Sequence, residues 1–268
     1  MRKMDSNVLN IKEKFLKSEL VIGTHIILSG PEICEIICYC GFDFIWIDGE
    51  HGPLDKKDIN LLIMTTRSHG LAPFVRIPWN DPVLFKPILD MGPAAIVVPF
   101  IKTAEEAKLA VASCKYPPTG IRGFGPHRAN NFSTINMEDY LKKSITEPLL
   151  ILQIEHIDAL NNLKDIIKVE GVDSICVGSN DLSGSMGLLG QTRNPKVIKV
   201  LDKIACICNE ANFPFGASIG WSQQIVMDWI RRGSSWLAVD TDIGFIIDGG
   251  RKTFENVKNI YDEIKKMW

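Results

Sequence analysis

Short apolar runs recur along the chain and alternate with segments whose apolar residues have the spacing of a helix. Several runs, such as IVVPFI and LLILQI, are apolar almost throughout. That pattern is typical of parallel strands buried on both faces, because a half-exposed strand alternates apolar and polar residues. The predicted strands are 21–28, 42–48, 72–77, 94–101, 149–155, 174–178, 214–219 and 236–241.

Helical segments follow nearly every predicted strand, and capping residues mark several of their starts, as at Asp81-Pro82 and Thr103. The predicted helices are 31–40, 56–68, 82–91, 104–113, 157–168, 195–212, 222–232 and 253–267. The chain thus contains eight strand–helix units in about 250 residues and no Pro/Gly/Ser-rich linker. This pattern predicts an α/β protein with one closed (β/α)8 TIM barrel. We therefore expect a single domain over 1–268. The exception to the alternation is a long Pro- and Gly-rich loop at 114–136.

Composition narrows the classes of partner and compartment. Thirty Lys and Arg oppose 32 Asp and Glu, and no Lys/Arg-dense tract is present, which argues against a nucleic-acid partner. No stretch reaches the roughly 18 apolar residues of a membrane span, so we expect a cytoplasmic protein with no membrane partner. Seven cysteines argue against a full disulfide framework. Cys34, Cys38 and Cys40 lack a second ligand pair, so core thiols are favoured over a metal cluster.

Polar residues gather where the predicted strands end, and in a barrel of this type the chemistry lies at that face. The candidates are Asp48, Glu50 and His51 after the second strand, Arg76 after the third, Gln153 and Glu155 after the fifth, and Asn180 and Asp181 after the sixth. Glu155 and Asp181 fit a hard divalent cation such as Mg²⁺ that keeps open positions for water and substrate. Either acid alone is more simply a helix-start or turn-capping residue, but the other polar residues on the rim weaken that explanation.

The remaining polar residues leave several roles open. His51 fits a metal ligand, a structural histidine or a general base. Arg76 either balances the carboxylates or binds a carboxylate or enolate oxygen with its planar guanidinium. The sequence has no nucleophile elbow and no phosphate-cradling glycine loop, and no lysine lies within a predicted strand, so metal chemistry is favoured over an imine. His25, His69 and His156 are expected to be structural or surface residues.

Six motifs occur in a fixed order along the chain: GFDFIWIDGEHGP, VRIPWNDP, LDMGPAAIVVPFI, YPPTGIRGFG, LQIE and GSNDLS. In this order and spacing they resemble the 4-hydroxy-2-oxoheptanedioate aldolase family, the metal-dependent class II pyruvate aldolases, with the 2-keto-3-deoxy sugar acid aldolases as relatives. The similarity covers residues 22–241. A set of six ordered motifs is far more specific than any one of them.

The resemblance implies a barrel of the phosphoenolpyruvate/pyruvate type that uses Mg²⁺, Mn²⁺ or Co²⁺ to cleave a 4-hydroxy-2-oxo acid to pyruvate and an aldehyde. Position by position, it implies Glu155 and Asp181 as metal ligands, with Asp48 and Glu50 ordering water near the metal. It implies Arg76 as the enolate-stabilising arginine and His51 as the base, paired with Asp90. It implies Gln153 as a substrate contact and the amides of Asn180 and Asp181 as the binding site for the pyruvate carboxylate. It also implies a homo-oligomer, a hexamer built as a trimer of dimers, with the C-terminal helix at about 253–268 packing on a neighbour.

Two departures from the family pattern bear on function. Ser179 stands where the family commonly has proline, and the segment GASIGW at 216–221 differs from the aliphatic stretch expected there, which leaves the aldehyde open. Two alternatives also stay open: an acyl-CoA lyase of the citramalyl- or malyl-CoA type, and a barrel that binds a keto acid without turnover. The His51 motif favours the aldolase over the lyase. The intact set of polar residues argues against a non-catalytic protein.

Overall fold

Eight parallel strands form the centre of the fold. The computed structural model describes residues 11–15, 17 and 19–267. The strands are β1 Val21–Ile26, β2 Phe44–Asp48, β3 Ala72–Arg76, β4 Ala95–Val98, β5 Leu149–Ile154, β6 Ser174–Val177, β7 Phe215–Ile219 and β8 Trp236–Thr241. Each strand pairs with the next in chain order, and β8 pairs with β1 to close the barrel. The predicted (β/α)8 TIM barrel is confirmed.

Helices surround the barrel and connect its strands. They are α1 Pro31–Cys38, α2 Lys56–Ser68, α3 Pro82–Met91, α4 Ala104–Cys114, α5 Met137–Thr146, α6 Ile157–Ile166, α7 Ser179–Ser185, α8 Pro195–Glu210, α9 Gln223–Arg231 and α10 Asp242–Lys265. Every predicted strand and helix is present within a few residues, except for the start of the last helix. The sequence did not predict α5, α7 or the short 3-10 turn Arg128–Asn130.

Capping residues set the starts of the outer helices. Asp55 Oδ1 accepts the backbone amides of Lys57 and Asp58 at 2.7 and 2.9 Å, and the Asp58 carboxylate accepts the Asp55 amide in return. Thr103 and Glu106 make the same reciprocal arrangement at the start of α4. Such a capping box satisfies backbone donors that have no partner within the helix. The helices therefore begin at defined points beyond the strand ends.

Aromatic side chains fill the inside of the barrel. Phe44, Phe74 and Trp236 are fully buried there, and the rings of Phe44 and Phe74 stack with their centroids 4.3 Å apart. Gly23 on β1 makes room for them, because a Cβ at that position would lie 2.5 Å from the Phe44 ring. A second apolar layer packs between the strands and the helices. The inside of the barrel is therefore filled mainly by apolar side chains.

Two expectations from the sequence need correction. The last helix begins at Asp242, directly after β8, because Thr241 Oγ1 accepts the Gly244 amide at 3.0 Å and caps it. Glycines in its first turns lower the helix propensity that a sequence pattern reports. The C-terminal helix implied by the resemblance, at about 253–268, ends at Trp268, which lies outside the described residues. Cys40 is exposed, not part of the core. No helix in the described part of the chain is long and apolar enough to cross a membrane.

Candidate active site

Arg76 and Asp48 form a buried, bidentate ion pair at the ends of neighbouring strands. They are register partners on β3 and β2. Arg76 Nε donates to Asp48 Oδ1 at 3.0 Å, and Nη2 donates to Oδ2 at 2.6 Å. Two parallel hydrogen bonds of this kind fix the plane of the guanidinium. Arg76 is therefore a rigid cation at the mouth of the barrel.

Asp48 also organises the turn that follows β2. Its Oδ1 accepts the backbone amides of Glu50 and His51 at 3.0 and 3.2 Å. Glu50 Oε2 lies 3.0 Å from Arg76 Nη1, so two acids flank the guanidinium. Burial raises the pKa of Asp48, but the hydrogen bonds and charge of Arg76 and the two amides hold this pKa below its ordinary value. Asp48 is therefore ionised at neutral pH and anchors both Glu50 and His51.

Glu155 is a buried carboxylate directly after β5, with only 1% of its surface exposed. Its Oε1 accepts the Phe100 amide at 2.8 Å, and its Oε2 accepts a hydrogen bond from Gln153 Nε2. Burial raises the pKa of Glu155 to about 7, and the charges of Glu50 and Asp181 act in the same direction, while the two hydrogen bonds oppose the shift. The carboxylate is thus firmly held in an environment that disfavours its charge.

Two backbone features that the sequence analysis missed shape the surroundings of Glu155. Phe100 has a φ of 56°, in the left-handed region that an aromatic residue rarely adopts, while its amide donates to Glu155. Gly178 lies against the carboxylate, since a Cβ there would be 2.5 Å from Glu155 Oε2. Such strained or closely packed backbone is typical of functional sites. The glycine is visible in the sequence, but the conformation of Phe100 is not.

The oxygen atoms around Glu155 fit a hard divalent cation. Glu50 is a second carboxylate close enough to influence Glu155, and burial raises the pKa of Glu50 to about 7 as well. The carboxylate of Asp181, near the start of α7, makes no hydrogen bond or ion pair in the described part of the chain. Gln153 Oε1 is buried without a hydrogen-bond partner. Within residues 11–15, 17 and 19–267, no group of three or more His, Cys, Asp or Glu is placed to hold a metal. Glu155 and Asp181 would thus leave the remaining positions to water and substrate.

A cavity of about 380 Å³ opens at this end of the barrel. Its lining includes Asp48, His51 and Arg76 from β2, β3 and the turn after β2, Ser179 and Asn180 from α7, and His25 and Ser218 from β1 and β7. The volume is in the range of sites that bind small molecules. A ligand in this cavity can therefore contact Arg76 on β3 as well as the side chains of β1 and β7.

The structure separates one predicted site residue from the others. His51 is at the mouth, 64% exposed, with Nε2 3.9 Å from Glu50 Oε2. Asp90, the predicted partner of His51, instead pairs with Arg122 at 3.0 Å near the end of α3. Among the described residues, His51 and Asp90 make no contact with each other. The other predicted site residues all lie at the C-terminal ends of the strands or just beyond them.

His25 was expected to be structural or at the surface, and the structure shows a buried ring with both nitrogens hydrogen-bonded within the protein. The ring lines the cavity, with Nδ1 2.9 Å from the Asp240 carbonyl oxygen and Nε2 2.9 Å from Ser218 Oγ. The strand VIGTHI gives no signal of this, because the direction of its side chains depends on the closed barrel. The only sequence signal was the unusual segment around Ser218.

Comparison with known proteins agrees with this architecture. The chain is 35% identical over 250 residues to the 5-keto-4-deoxy-D-glucarate aldolase of Escherichia coli, covering 92% of this chain and 96% of that one. It is similar to the crystal structure of an HpcH/HpaI aldolase from Desulfitobacterium hafniense, with a TM-score of 0.85, 28% identity, and 92% and 96% of the two chains covered.

A second solved structure has the same fold over the whole of its length. This HpcH/HpaI aldolase/citrate lyase family protein from Burkholderia cenocepacia superposes with a TM-score of 0.88 and 26% identity, covering 94% of this chain and 100% of that one. The sequence profile of the HpcH/HpaI aldolase/citrate lyase family matches residues 22–242. This chain therefore belongs to the HpcH/HpaI aldolase/citrate lyase family.

Proposed function

We propose that this chain is a class II aldolase that cleaves a 4-hydroxy-2-oxo acid to pyruvate and an aldehyde. Its substrate class includes 4-hydroxy-2-oxoheptanedioate and the 2-keto-3-deoxy sugar acids. Family membership and the identity to 5-keto-4-deoxy-D-glucarate aldolase support a carbon–carbon lyase. The proposal rests above all on one observation: the Arg76 guanidinium, fixed by two hydrogen bonds to Asp48, and the buried Glu155 carboxylate lie at the same end of one closed barrel.

Glu155 and Asp181 would hold the divalent cation, Mg²⁺, Mn²⁺ or Co²⁺. HpcH/HpaI aldolases are in general dependent on a divalent metal. When bound, the cation supplies the Lewis acidity that polarises a ketone and stabilises negative charge on its oxygen. The protein fixes both oxygens of Glu155 through the Phe100 amide and Gln153 Nε2. Buried Asp48, with Glu50 beside it, lies next to this site, where we propose that both acids order water.

His51 would act as the base, because its imidazole is exposed at the mouth while its backbone is anchored by Asp48. It takes the proton of the C4 hydroxyl, the O–H electron pair becomes the aldehyde carbonyl, and the C3–C4 pair moves to the enolate of pyruvate. Arg76 stabilises the charge that develops on the enolate oxygen. Protonated His51 then delivers this proton to C3, which gives pyruvate and restores the base. Gln153 and the amides of Asn180 and Asp181 are assigned to the pyruvate half by resemblance to the family.

A homo-oligomer, a hexamer built as a trimer of dimers, is the assembly that we propose. Phe254, Val257 and Tyr261 are exposed at helical spacing on α10 and give it an apolar face. Asp90 lies eight residues after the start of α3, about 12 Å along a helix that runs away from the catalytic end. Asp90 would therefore orient His51 only if the two came from neighbouring subunits.

We place the protein in the cytoplasm. All seven cysteines are free thiols, and four of the buried ones, Cys34, Cys38, Cys114 and Cys208, pack in the apolar layer outside the strands. Unpaired thiols agree with a reducing compartment. The expected partners are a 2-oxo acid substrate, the aldehyde product and further copies of the chain.

A substrate panel tests the proposal against its two alternatives. The panel contains 4-hydroxy-2-oxoheptanedioate, 5-keto-4-deoxy-D-glucarate, citramalyl-CoA and malyl-CoA, each assayed with metal and after chelation. We expect metal-dependent release of pyruvate from one or both of the first two and no acetyl-CoA from the thioesters. Cleavage of the thioesters only, with release of acetyl-CoA and the matching 2-oxo acid, would identify an acyl-CoA lyase. Binding of pyruvate without turnover of any compound would identify a keto-acid-binding protein.

A further inference from the structure

The part of the cavity wall formed by β1 and β7 is polar, although no proposed catalytic residue lies there. His25 on β1 and Ser218 on β7 both line the cavity, and their side chains contact each other across the end of β8. His25 is 6% exposed and Ser218 is half-buried. A buried polar pair of this kind is not needed to fill the barrel, since an apolar side chain could occupy either position.

The hydrogen bonds of His25 determine which ring nitrogen carries a proton. Nδ1 lies 2.9 Å from the backbone oxygen of Asp240. A carbonyl oxygen can only accept, so Nδ1 must donate. Burial lowers the pKa of His25 to about 4, so the ring is neutral near pH 7. Nε2 therefore carries no proton and can act only as an acceptor.

Ser218 must then donate its hydroxyl proton in a hydrogen bond to His25 Nε2. Ser218 Oγ is 2.9 Å from His25 Nε2, and this bond requires the hydroxyl to donate. A hydroxyl has one proton and two lone pairs. The lone pairs of Ser218 Oγ can therefore only accept a further hydrogen bond, and a donor group in the cavity can supply it. An alcohol hydroxyl is such a donor, whereas a carboxylate or a ketone is not.

The backbone holds this arrangement in place. The Asp240 carbonyl oxygen that accepts the hydrogen bond from His25 Nδ1 also accepts one from Thr24 Oγ1 at 3.1 Å. Asp240 itself has a φ of 62°, a left-handed conformation that is uncommon for a residue with a side chain. His25 is thus fixed from one side and directs Ser218 from the other.

We propose that Ser218, oriented by His25, is a specificity-determining residue that accepts a hydrogen bond from a hydroxyl group on the aldehyde half of the substrate. The inference rests on the proposed aldolase function, in which Arg76 and its neighbours take the pyruvate half. It makes the aldehyde a hydroxylated one, as a sugar acid would provide, and disfavours an aldehyde with a plain hydrocarbon chain. His25 is a positioning residue that acts through Ser218.

The test compares aldol addition of pyruvate to glyceraldehyde and to propionaldehyde, which have the same number of carbons and differ in hydroxyl groups. Wild type should show the higher kcat/KM with glyceraldehyde. Ser218→Ala should lower the glyceraldehyde-to-propionaldehyde ratio roughly three- to tenfold, the effect of losing one neutral hydrogen bond. Ser218→Thr keeps the hydroxyl and should keep most of the ratio. His25→Phe should lower the ratio as Ser218→Ala does.

Ser222→Ala is the matched control, because Ser222 lies four residues further on and its side chain makes no capping hydrogen bond. Its ratio should equal that of wild type. An unchanged ratio in Ser218→Ala overturns the inference, as does a wild-type enzyme without preference. Equal losses with both aldehydes and in the decarboxylation of oxaloacetate, which has no aldehyde half, also overturn it. Absence of metal-dependent oxaloacetate decarboxylation in wild type would instead contradict the proposed aldolase function.

Discussion

Glu155→Gln removes one buried charge with little change in shape, and it should stabilise the metal-free protein at alkaline pH. The glutamine oxygen can accept the Phe100 amide as the carboxylate does. Its NH₂ group can donate to Gln153 Oε1, which has no hydrogen-bond partner in wild type, once the Gln153 amide rotates. Each neighbour of the carboxylate therefore keeps one hydrogen bond to residue 155, and Gln153 has one unpaired polar atom in either protein, so the charge is the main difference.

The size of the effect follows from the pKa of Glu155, which burial raises from 4.5 to about 7. Between these values the folded state keeps a proton that the unfolded state releases, so the free energy of unfolding falls as pH rises. Each pKa unit corresponds to about 1.4 kcal/mol, so the full shift amounts to about 3 kcal/mol. Above about pH 7 wild type carries this whole penalty. The variant carries none of it.

Urea unfolding of chelator-treated protein from about pH 5 to 8.5 measures this difference. We expect Glu155→Gln to be more stable than wild type by about 3 kcal/mol at the alkaline end, and by less than about 1 kcal/mol at the acid end. Added Mn²⁺ should stabilise wild type and not the variant, since a ligand that binds only the folded state stabilises it. Glu170→Gln, at an exposed position, is the control and should follow wild type. Parallel curves for Glu155→Gln and wild type would refute the reasoning.

Three further experiments test the roles proposed for His51, Arg76 and Asp90. His51→Ala should slow aldol cleavage by about 10²- to 10⁴-fold with unchanged metal affinity by titration calorimetry, and loss of metal would make His51 a ligand instead. Arg76→Lys should lower kcat more than it raises KM, in both aldol cleavage and oxaloacetate decarboxylation; intact decarboxylation would place Arg76 at the aldehyde half. Inactive Asp90→Ala and His51→Ala chains should regain part of the activity when mixed in one oligomer, and no recovery would contradict a shared site.

The barrel was predictable because its strands are buried on both faces and its helices carry capping signals. Closure of eight parallel strands then brings every strand end to one rim, which is why residues as distant in sequence as Arg76 and Glu155 could be assigned to one site. The helix α7 was missed because its sequence SNDLSGS is polar and rich in residues that favour turns. Tertiary packing through buried Leu182 stabilises it instead.

Other parts of the site depend on contacts that a sequence pattern does not contain. The backbone of Phe100 adopts its unusual φ only in the folded chain, where its amide meets Glu155. His25 and Ser218 are 193 positions apart and meet only because β8 closes the barrel on β1. The predicted pairing of His51 with Asp90 followed the motifs, which do not specify the end of the barrel at which each residue lies.

Exchange of the pyruvate methyl protons with D₂O, followed by proton NMR, tests most directly whether this site forms an enolate. The reaction needs no aldehyde, so it isolates the chemistry assigned to Glu155, Asp181, Arg76 and His51. We predict exchange by wild type with Mg²⁺, and none after chelation or in Glu155→Gln. Exchange that continues at the wild-type rate in chelated enzyme or in Glu155→Gln would contradict a metal-dependent enolate at this end of the barrel.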